Sequence, residues 1–219
     1  MNTLYIVATP IGNLKDITLR ALETLKEVDL ILAEDTRVTG KLLKAYDIST
    51  RMISFHQHSS SNGIIKLLEE GKNLALVSDA GTPGVNDPGG KLIEDVIASK
   101  LEVQIVPMPG ASALTTILSV VGIPLETFIY KGFVPHKKGK QTYLQMVADS
   151  ESPVVFFEST HRILKTLLQL KEFLPEDKKI IIGRELTKMH ETIYRGNIDE
   201  VINKLEESST KGEFVLIVY

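Results

Sequence analysis

The chain has 219 residues, 43% hydrophobic and 24% charged, with 25 Lys plus Arg against 28 Asp plus Glu for a formal net charge of −3. That is ordinary globular composition, long enough to bury a full core, and a prior of ~150 residues per domain allows one large domain or two small ones. The absence of cysteine excludes a disulfide scaffold, a thiolate zinc site and cysteine catalysis, and fits a reducing, cytoplasmic location.

Short β-branched runs alternate with amphipathic stretches along the whole chain. Strands are predicted at 3–9, 28–34, 52–55, 73–78 and 102–107, then at 128–134, 153–158, 179–184, 190–195 and 213–218. Leu30-Ile31-Leu32-Ala33 and Ile180-Ile181-Ile182 are apolar on both faces, the mark of central strands covered by helices on either side. Ile17, Ala21, Leu25 and Val28 recur at helical spacing, as do Ile198, Val201, Ile202 and Leu205, the latter behind an Asn197/Glu200 N-cap. Near residue 112 the pattern changes. A helix expected over roughly 110–121 leads through Gly122-Ile123-Pro124 into a second group of strands. There only Glu185 to Met189 separate two strands, too few residues for a parallel crossover, so the second sheet must be mixed. The prediction is two α/β domains, 1–112 with a mainly parallel sheet and 113–219 with a mixed sheet, and a ligand cleft between them.

Residues 1–112 carry 11 basic and 14 acidic side chains and residues 113–219 carry 14 and 14, so neither half is a basic domain. Any RNA contact must use local patches. The best is His136-Lys137-Lys138-Gly139-Lys140, a run that more often is a solvated surface turn. The N-terminus, Met1-Asn2-Thr3, lacks a secretory pattern. The longest apolar window, Ala113 to Leu125, is broken by Thr115, Thr116, Ser119 and Pro124, short of the ~20 apolar residues of a membrane span. A soluble protein with no membrane partner is expected.

Candidate chemistry sits at strand ends. Ala8-Thr9-Pro10-Ile11-Gly12 holds the position of a dinucleotide turn without its glycines, and Pro10 stiffens it for packing against a flat adenine or sugar. Ser78-Asp79-Ala80-Gly81-Thr82-Pro83-Gly84-Val85-Asn86-Asp87-Pro88-Gly89-Gly90 is rich in Gly and Pro and allows close backbone approach to a ligand, with Asp79 open to a cationic or hydroxyl group. A long connecting loop with caps fits that composition as well. Pro109-Gly110-Ala111-Ser112-Ala113 runs into a helix N-terminus. Glu34-Asp35-Thr36-Arg37 reads either as chemistry or as acids decorating a helix start. Phe157-Glu158-Ser159-Thr160-His161-Arg162 and Arg184-Glu185-Leu186-Thr187-Lys188 end later strands. His56-Gln57-His58 has no carboxylate nearby in sequence, and no metal site is expected.

Taken together, Ala8-Thr-Pro-Ile-Gly-Asn-Leu-Lys-Asp-Ile17, Ala33-Glu-Asp-Thr-Arg37, Ser78-Asp-Ala-Gly-Thr-Pro83, Asp87-Pro-Gly89 and Pro109-Gly-Ala-Ser112 resemble the tetrapyrrole methylase superfamily, the class III methyltransferases. The wording is most similar to the ribosomal RNA small subunit methyltransferase I branch. Gly132-Phe-Val-Pro135, Phe157 to Arg162, Arg184 to Lys188, Arg195-Gly196 and Lys211-Gly-Glu213 carry that likeness to the C-terminus. The resemblance implies a homodimer that binds S-adenosyl-L-methionine in the cleft and 2′-O-methylates a cytidine in 16S rRNA, free or in the 30S subunit. It implies cofactor contacts at Pro10, Ile11, Asp79, Gly81, Thr82, Ser112 and Ala113, completed near Leu186 and Glu213. A ribose hydroxyl needs a positioned base, for which Asp35, Glu34, Glu158, Glu185 and Lys188 are candidates, Asp35 foremost and Lys188 only if burial lowers its pKa. Arg37, Arg162 and Arg184, with Lys137 and Lys138, are candidate phosphate contacts. Members of the branch usually have Pro where this chain has Thr160, and many extend past the position matching Tyr219. Two other readings stay open: methylation of a corrin or porphyrin precursor, and a catalytically silent cofactor-binding module.

Overall fold

The computed structural model describes residues 2–56, 59–87 and 89–219, so His58 of the His56-Gln57-His58 pair and Pro88 of the Gly/Pro-rich loop lie outside the described residues. The chain divides into two compact units, Met1–Ser112 and Ala113–Tyr219.

The first unit is built from β1 (Thr3–Val7), α1 (Leu19–Glu27), β2 (Leu30–Ala33), α2 (Thr36–Ala45), β3 (Met52–Ser54), α3 (Asn62–Glu69), β4 (Leu74–Val77), α4 (Gly89–Ala98) and β5 (Gln104–Met108). Its five strands form one sheet in the order β3-β2-β4-β1-β5, and every pairing is parallel. Alternation along the strands divides the core in two. Val7, Ile31, Ala33, Ala75 and Val77 pack with Ala21, Leu25, Leu42 and Leu43 of α1 and α2. Leu4, Ile6, Leu30, Leu32, Leu74 and Leu76 pack with Ile64, Leu68, Leu92 and Val96 of α3 and α4. Both sheet faces are therefore covered, which is why β2 and β4 are apolar at every position and buried throughout. Pro107 has no N–H to give and is tolerated because β5 is an edge strand, paired only with β1.

The second unit comprises α5 (Ala113–Leu118), β6 (Ile129–Phe133), α6 (Lys140–Asp149), β7 (Val154–Ser159), α7 (Ile163–Lys171), β8 (Ile180–Arg184), β9 (Thr192–Gly196), α8 (Ile198–Ser208) and β10 (Glu213–Val218). The sheet order is β6-β7-β10-β8-β9. β6 and β7 are parallel, while β10 runs antiparallel to both β7 and β8, and β8 to β9, as the short connection after β8 requires. One face carries Val154, Phe156, Ile180, Ile182, Phe214 and Leu216 against Leu144 and Val147 of α6, Leu167 and Leu170 of α7, and Val201 and Leu205 of α8.

Each predicted strand has its counterpart within two residues at either end. The helix expected over 110–121 is shorter, Ala113–Leu118. At its start the Gly110 backbone lies against Ala8, where an added Cβ would come within 2.9 Å of the Ala8 Cβ, and helix begins three residues later. Its far end tightens into bonds from the Val120 N–H to the Ile117 carbonyl and from the Val121 N–H to Leu118, before Gly122 turns left-handed at φ +81°.

At the start of α8 the Asn197 side chain accepts the Glu200 N–H at 2.9 Å and the Glu200 carboxylate accepts the Asn197 N–H at 3.1 Å, a complete capping box. Asn197→Ala is expected to lower stability by about 1 kcal/mol in urea denaturation, with the loss confined to the second unit.

Candidate functional site

Because all five strands of the first unit are parallel, their following loops emerge along one edge of the sheet. Three of these loops are locked together. Thr9 and Gly81 exchange both backbone bonds, at 2.9 and 3.0 Å, in an isolated antiparallel bridge. The buried Thr9 hydroxyl donates to the Ser78 carbonyl at 3.1 Å. Thr82 donates its hydroxyl to the Ala111 carbonyl at 3.3 Å, which ties the loop after β4 to the loop after β5. Gly81 adopts φ +83°, and a Cβ there would touch the Ile11 side chain at 3.4 Å. Pro10, Ile11, Gly81, Thr82 and the segment leading to Ser112 are thus brought together on a fixed, backbone-rich surface. Ala113 opens α5 in the second unit.

The loops after β2 and β4 are cross-linked too. The Asp35 N–H donates to Asp79 Oδ1 at 2.9 Å, and the Asp79 N–H approaches Glu34 Oε2 at 3.4 Å. The two strands are neighbours in register, Ala33 opposite Val77, so Glu34, Asp35 and Asp79 meet although they are distant in sequence. Their environments separate them chemically. Asp35 caps α2, accepting the Arg37 N–H at 2.8 Å, and its carboxylate is held by the Arg37 guanidinium, with Nη2 at 2.5 Å from Oδ2. Those bonds lower the Asp35 pKa to about 2. Partial burial raises Glu34 above the usual carboxylate range, and the nearby charges of Asp79 and Asp87 push the same way. Asp79 is raised as well, first by burial and then by repulsion from Asp35. Arg37 itself remains on the surface, its side chain 86% exposed.

In the second unit the candidates fall into two groups. Glu158, its side chain fully buried, meets Arg162 Nη2 at 2.6 Å and accepts the Thr166 hydroxyl at 2.7 Å. Arg162 also donates to the Val134 carbonyl at 2.9 Å and the Ser159 hydroxyl at 3.1 Å, so this guanidinium is engaged inside the unit instead of being offered to a phosphate. Arg184 Nε is likewise turned onto a backbone carbonyl, that of Lys211, at 2.7 Å. Lys137 and Lys138 are exposed in the loop before α6, whereas Lys140, from the same basic run, is buried.

The second group is an ion cluster. Lys188 Nζ lies 2.9 Å from Glu185 and 3.0 Å from Glu213. Burial alone would lower the Lys188 pKa, but the two carboxylates outweigh it and the net shift is upward. The reason that would have made Lys188 a base, a burial-lowered pKa, is therefore absent. Glu185 is held low by Lys188 and by the Glu213 N–H against the opposing effect of burial. Leu186 packs across Gly183, where an added Cβ would fall 2.9 Å from both Leu186 and Ile117.

Thr160 has its own task. Its hydroxyl donates to the Gly212 carbonyl and accepts the Gly212 N–H at 2.8 Å, joining the loop after β7 to the start of β10 in a way that a proline could not. Sequence reading named Thr9, Gly110 and Lys140 only as members of motifs, with no role of their own, and missed Thr166, whose one trace is that Glu158, Arg162 and Thr166 recur every four residues. Among the described residues no group of three or more His, Asp or Glu side chains is arranged to hold a metal ion, and no helix is long and apolar enough to cross a membrane.

The raised Glu34 pKa has a stability consequence. A carboxyl whose folded pKa lies above its unfolded value costs stability as pH rises through that interval, and the cost is complete above the folded pKa. Glu34→Gln is therefore expected to raise Tm at pH 7, on the order of 1–2 °C, and to leave it unchanged below pH 4, as checked by paired thermal melts.

Comparison with known proteins agrees with this architecture. The sequence pattern of the Tetrapyrrole (Corrin/Porphyrin) Methylases matches residues 3–202. The Ribosomal RNA small subunit methyltransferase I of Thermotoga maritima is 45% identical over 221 residues, covering 100% of this chain and 98% of the relative. That of Synechocystis sp. is 44% identical over 222 residues, covering 100% of this chain and 79% of the relative. The crystal structure of the methyltransferase CobJ shares the fold, with a TM-score of 0.71 over 100% of this chain and 94% of that one at 17% identity. With its parallel and mixed sheets in two α/β units and a family pattern running through both, the chain belongs to the tetrapyrrole (corrin/porphyrin) methylases.

Proposed function

We propose that this methyltransferase takes its methyl group from S-adenosyl-L-methionine and transfers it to the 2′-hydroxyl of a cytidine ribose in 16S rRNA. The observation that carries this reading is whole-chain identity of 44–45% to proteins named for methylation of small-subunit ribosomal RNA. The loop surface of the first unit suits such a cofactor. It is rich in backbone and includes a proline face at Pro10, an apolar side chain at Ile11 and a glycine at Gly81, whose φ of +83° L side chains rarely adopt. Pro10, Ile11, Gly81, Thr82 and Ser112 would hold the nucleoside, and Asp79 a hydroxyl or cationic part. In the second unit, the family resemblance points to Ala113, Leu186 and Glu213 as further cofactor contacts. When bound, the sulfonium supplies an activated methyl group, so the chain's own task is alignment and removal of one proton.

For that proton the reading favours Glu34. A pKa near 2 makes Asp35 a poor base, and its oxygens are occupied by Arg37. Glu158 is enclosed by Arg162 and Thr166, and Lys188 is kept protonated between two carboxylates. Glu34 stands at the end of β2 with its basicity raised by burial, beside the loop that contains Asp79. Arg37, Lys137 and Lys138 are the exposed cations assigned to RNA phosphates. The reading includes a cytoplasmic homodimer as the working form.

The test offers labelled S-adenosyl-L-methionine with undermethylated 30S subunits, free 16S rRNA and a porphyrinoid precursor in parallel. Label on a cytidine ribose is expected in a 30S or rRNA lane; label on the tetrapyrrole alone overturns the substrate assignment, and cofactor binding without transfer in any lane favours a silent module. In the active lane Glu34→Gln should lower kcat by about 10²-fold or more, while Asp35→Asn, which keeps the cap, should cost less than about tenfold. The reverse order returns the base to Asp35.

A further inference from the structure

Four polar side chains of the second unit form a relay, buried at Lys140, Thr166 and Glu158 and partly buried at Arg162. Lys140 Nζ donates to Thr166 Oγ1 at 2.9 Å, Thr166 donates to Glu158 Oε2 at 2.7 Å, and Glu158 Oε1 takes Arg162 at 2.6 Å. Arg162 then donates to the Val134 carbonyl at 2.9 Å. Thr166 and the Glu158 side chain are fully buried, and Lys140 is 9% exposed. Burying an ammonium, a carboxylate and a guanidinium together is no better for stability than an apolar cluster of the same volume, so the arrangement calls for another role.

Its two ends indicate one. Val134 and Lys140 are the residues on either side of the segment Pro135–Gly139, so the relay fastens both ends of a single five-residue loop to β7 and α7. Gly139 closes that loop in the left-handed region at φ +83°. The side chains it carries outward are His136, Lys137 and Lys138, all exposed. The basic run His136 to Lys140 thus divides: Lys140 points inward as the anchor, and the two lysines before it stay in solvent.

We propose that the Lys140–Thr166–Glu158–Arg162 relay is a positioning device that pre-sets the 135–139 loop to receive the phosphate backbone of the RNA substrate. This rests on the RNA reading above. Glu158 and Arg162 then act through the loop and do not touch the reacting atoms. Holding the loop in one conformation before encounter removes part of the ordering cost of binding, an effect seen in substrate affinity and not in the chemical step.

The experiment compares wild type with Thr166→Val, which deletes the bridging hydroxyl at constant volume, Thr166→Ser, which keeps it, Arg162→Lys, which keeps the charge but not the fork, and the Lys137→Ala/Lys138→Ala pair. Thr166→Val and Arg162→Lys should each raise KM for the 30S or rRNA substrate by about fivefold, with kcat within about twofold and cofactor affinity unchanged, and Thr166→Ser should restore wild-type KM. The lysine pair should reduce the slope of log affinity against log salt by about 2, and adding Thr166→Val to it should change KM little further. A lower Tm with unchanged KM in Thr166→Val and Arg162→Lys means a purely structural network and overturns the proposal, as does full additivity with the lysine pair. Amide hydrogen exchange over residues 135–139 needs no substrate. It should accelerate in Thr166→Val, and unchanged exchange overturns the positioning role even if RNA methylation is confirmed. Accelerated exchange in a protein that methylates no RNA rejects the RNA reading and with it the loop's phosphate-binding role, while the fastening of the loop by the relay stands.

Discussion

The two backbone bonds between Thr9 and Gly81 are the constraint on which the first unit's loop surface depends. A parallel sheet delivers its loops to one edge but does not say how they meet. Here the bridge joins the loop after β1 to the loop after β4, and the Thr82 hydroxyl extends the connection to Ala111 after β5. Glycine is demanded twice, for different reasons: at Gly81 by its left-handed conformation, and at Gly110 by close approach, since its missing side chain leaves space for Ala8. Backbone bonds and hydroxyl-to-carbonyl bonds make these connections without side-chain salt links, so the surface presents small groups and peptide edges to whatever binds.

Next to this frame, three carboxylates a few residues from strand ends receive three different characters from their surroundings. Asp35 is saturated by a helix N-terminus and a guanidinium and stays ionised under nearly all conditions. Glu34 and Asp79 lack such a cation partner, and desolvation raises both in pKa. Acid–base chemistry near neutrality favours the group whose proton affinity has been raised, and it disfavours the one whose charge is fully compensated.

The second unit handles charge differently. Its Lys188, Glu185 and Glu213 form an ion-paired cluster near the protein surface, and Glu158, Arg162, Thr166 and Lys140 form a hydrogen-bonded one in its interior. Each charged group in them has an ion-pair or hydrogen-bond partner, without which burial would be penalised heavily. The interior set holds β6, α6, β7 and α7 in fixed relation through hydrogen bonds that have direction, where the apolar contacts of Phe156 or Leu167 have none.

The sequence by itself determined the two-unit α/β architecture, the ten strands and the mixed second sheet. Those follow from local quantities: runs such as Leu30 to Ala33 that are apolar on both faces, helical spacing such as Ile17 to Val28, and a connection after Arg184 too short to cross over. It also carried the family's motifs in order, because contiguous words survive in a linear string. It could not rank Glu34 against Asp35, which stand side by side with the same functional group; only the fold decides that Asp35 meets Arg37 and Glu34 meets burial and Asp79. Nor could it separate Lys140 from Lys137 and Lys138, because a charge run has no inside or outside until a helix is packed against a sheet. Proton affinity and burial are sums over neighbours distant in the chain, and the tertiary structure alone brings those neighbours within a few ångströms.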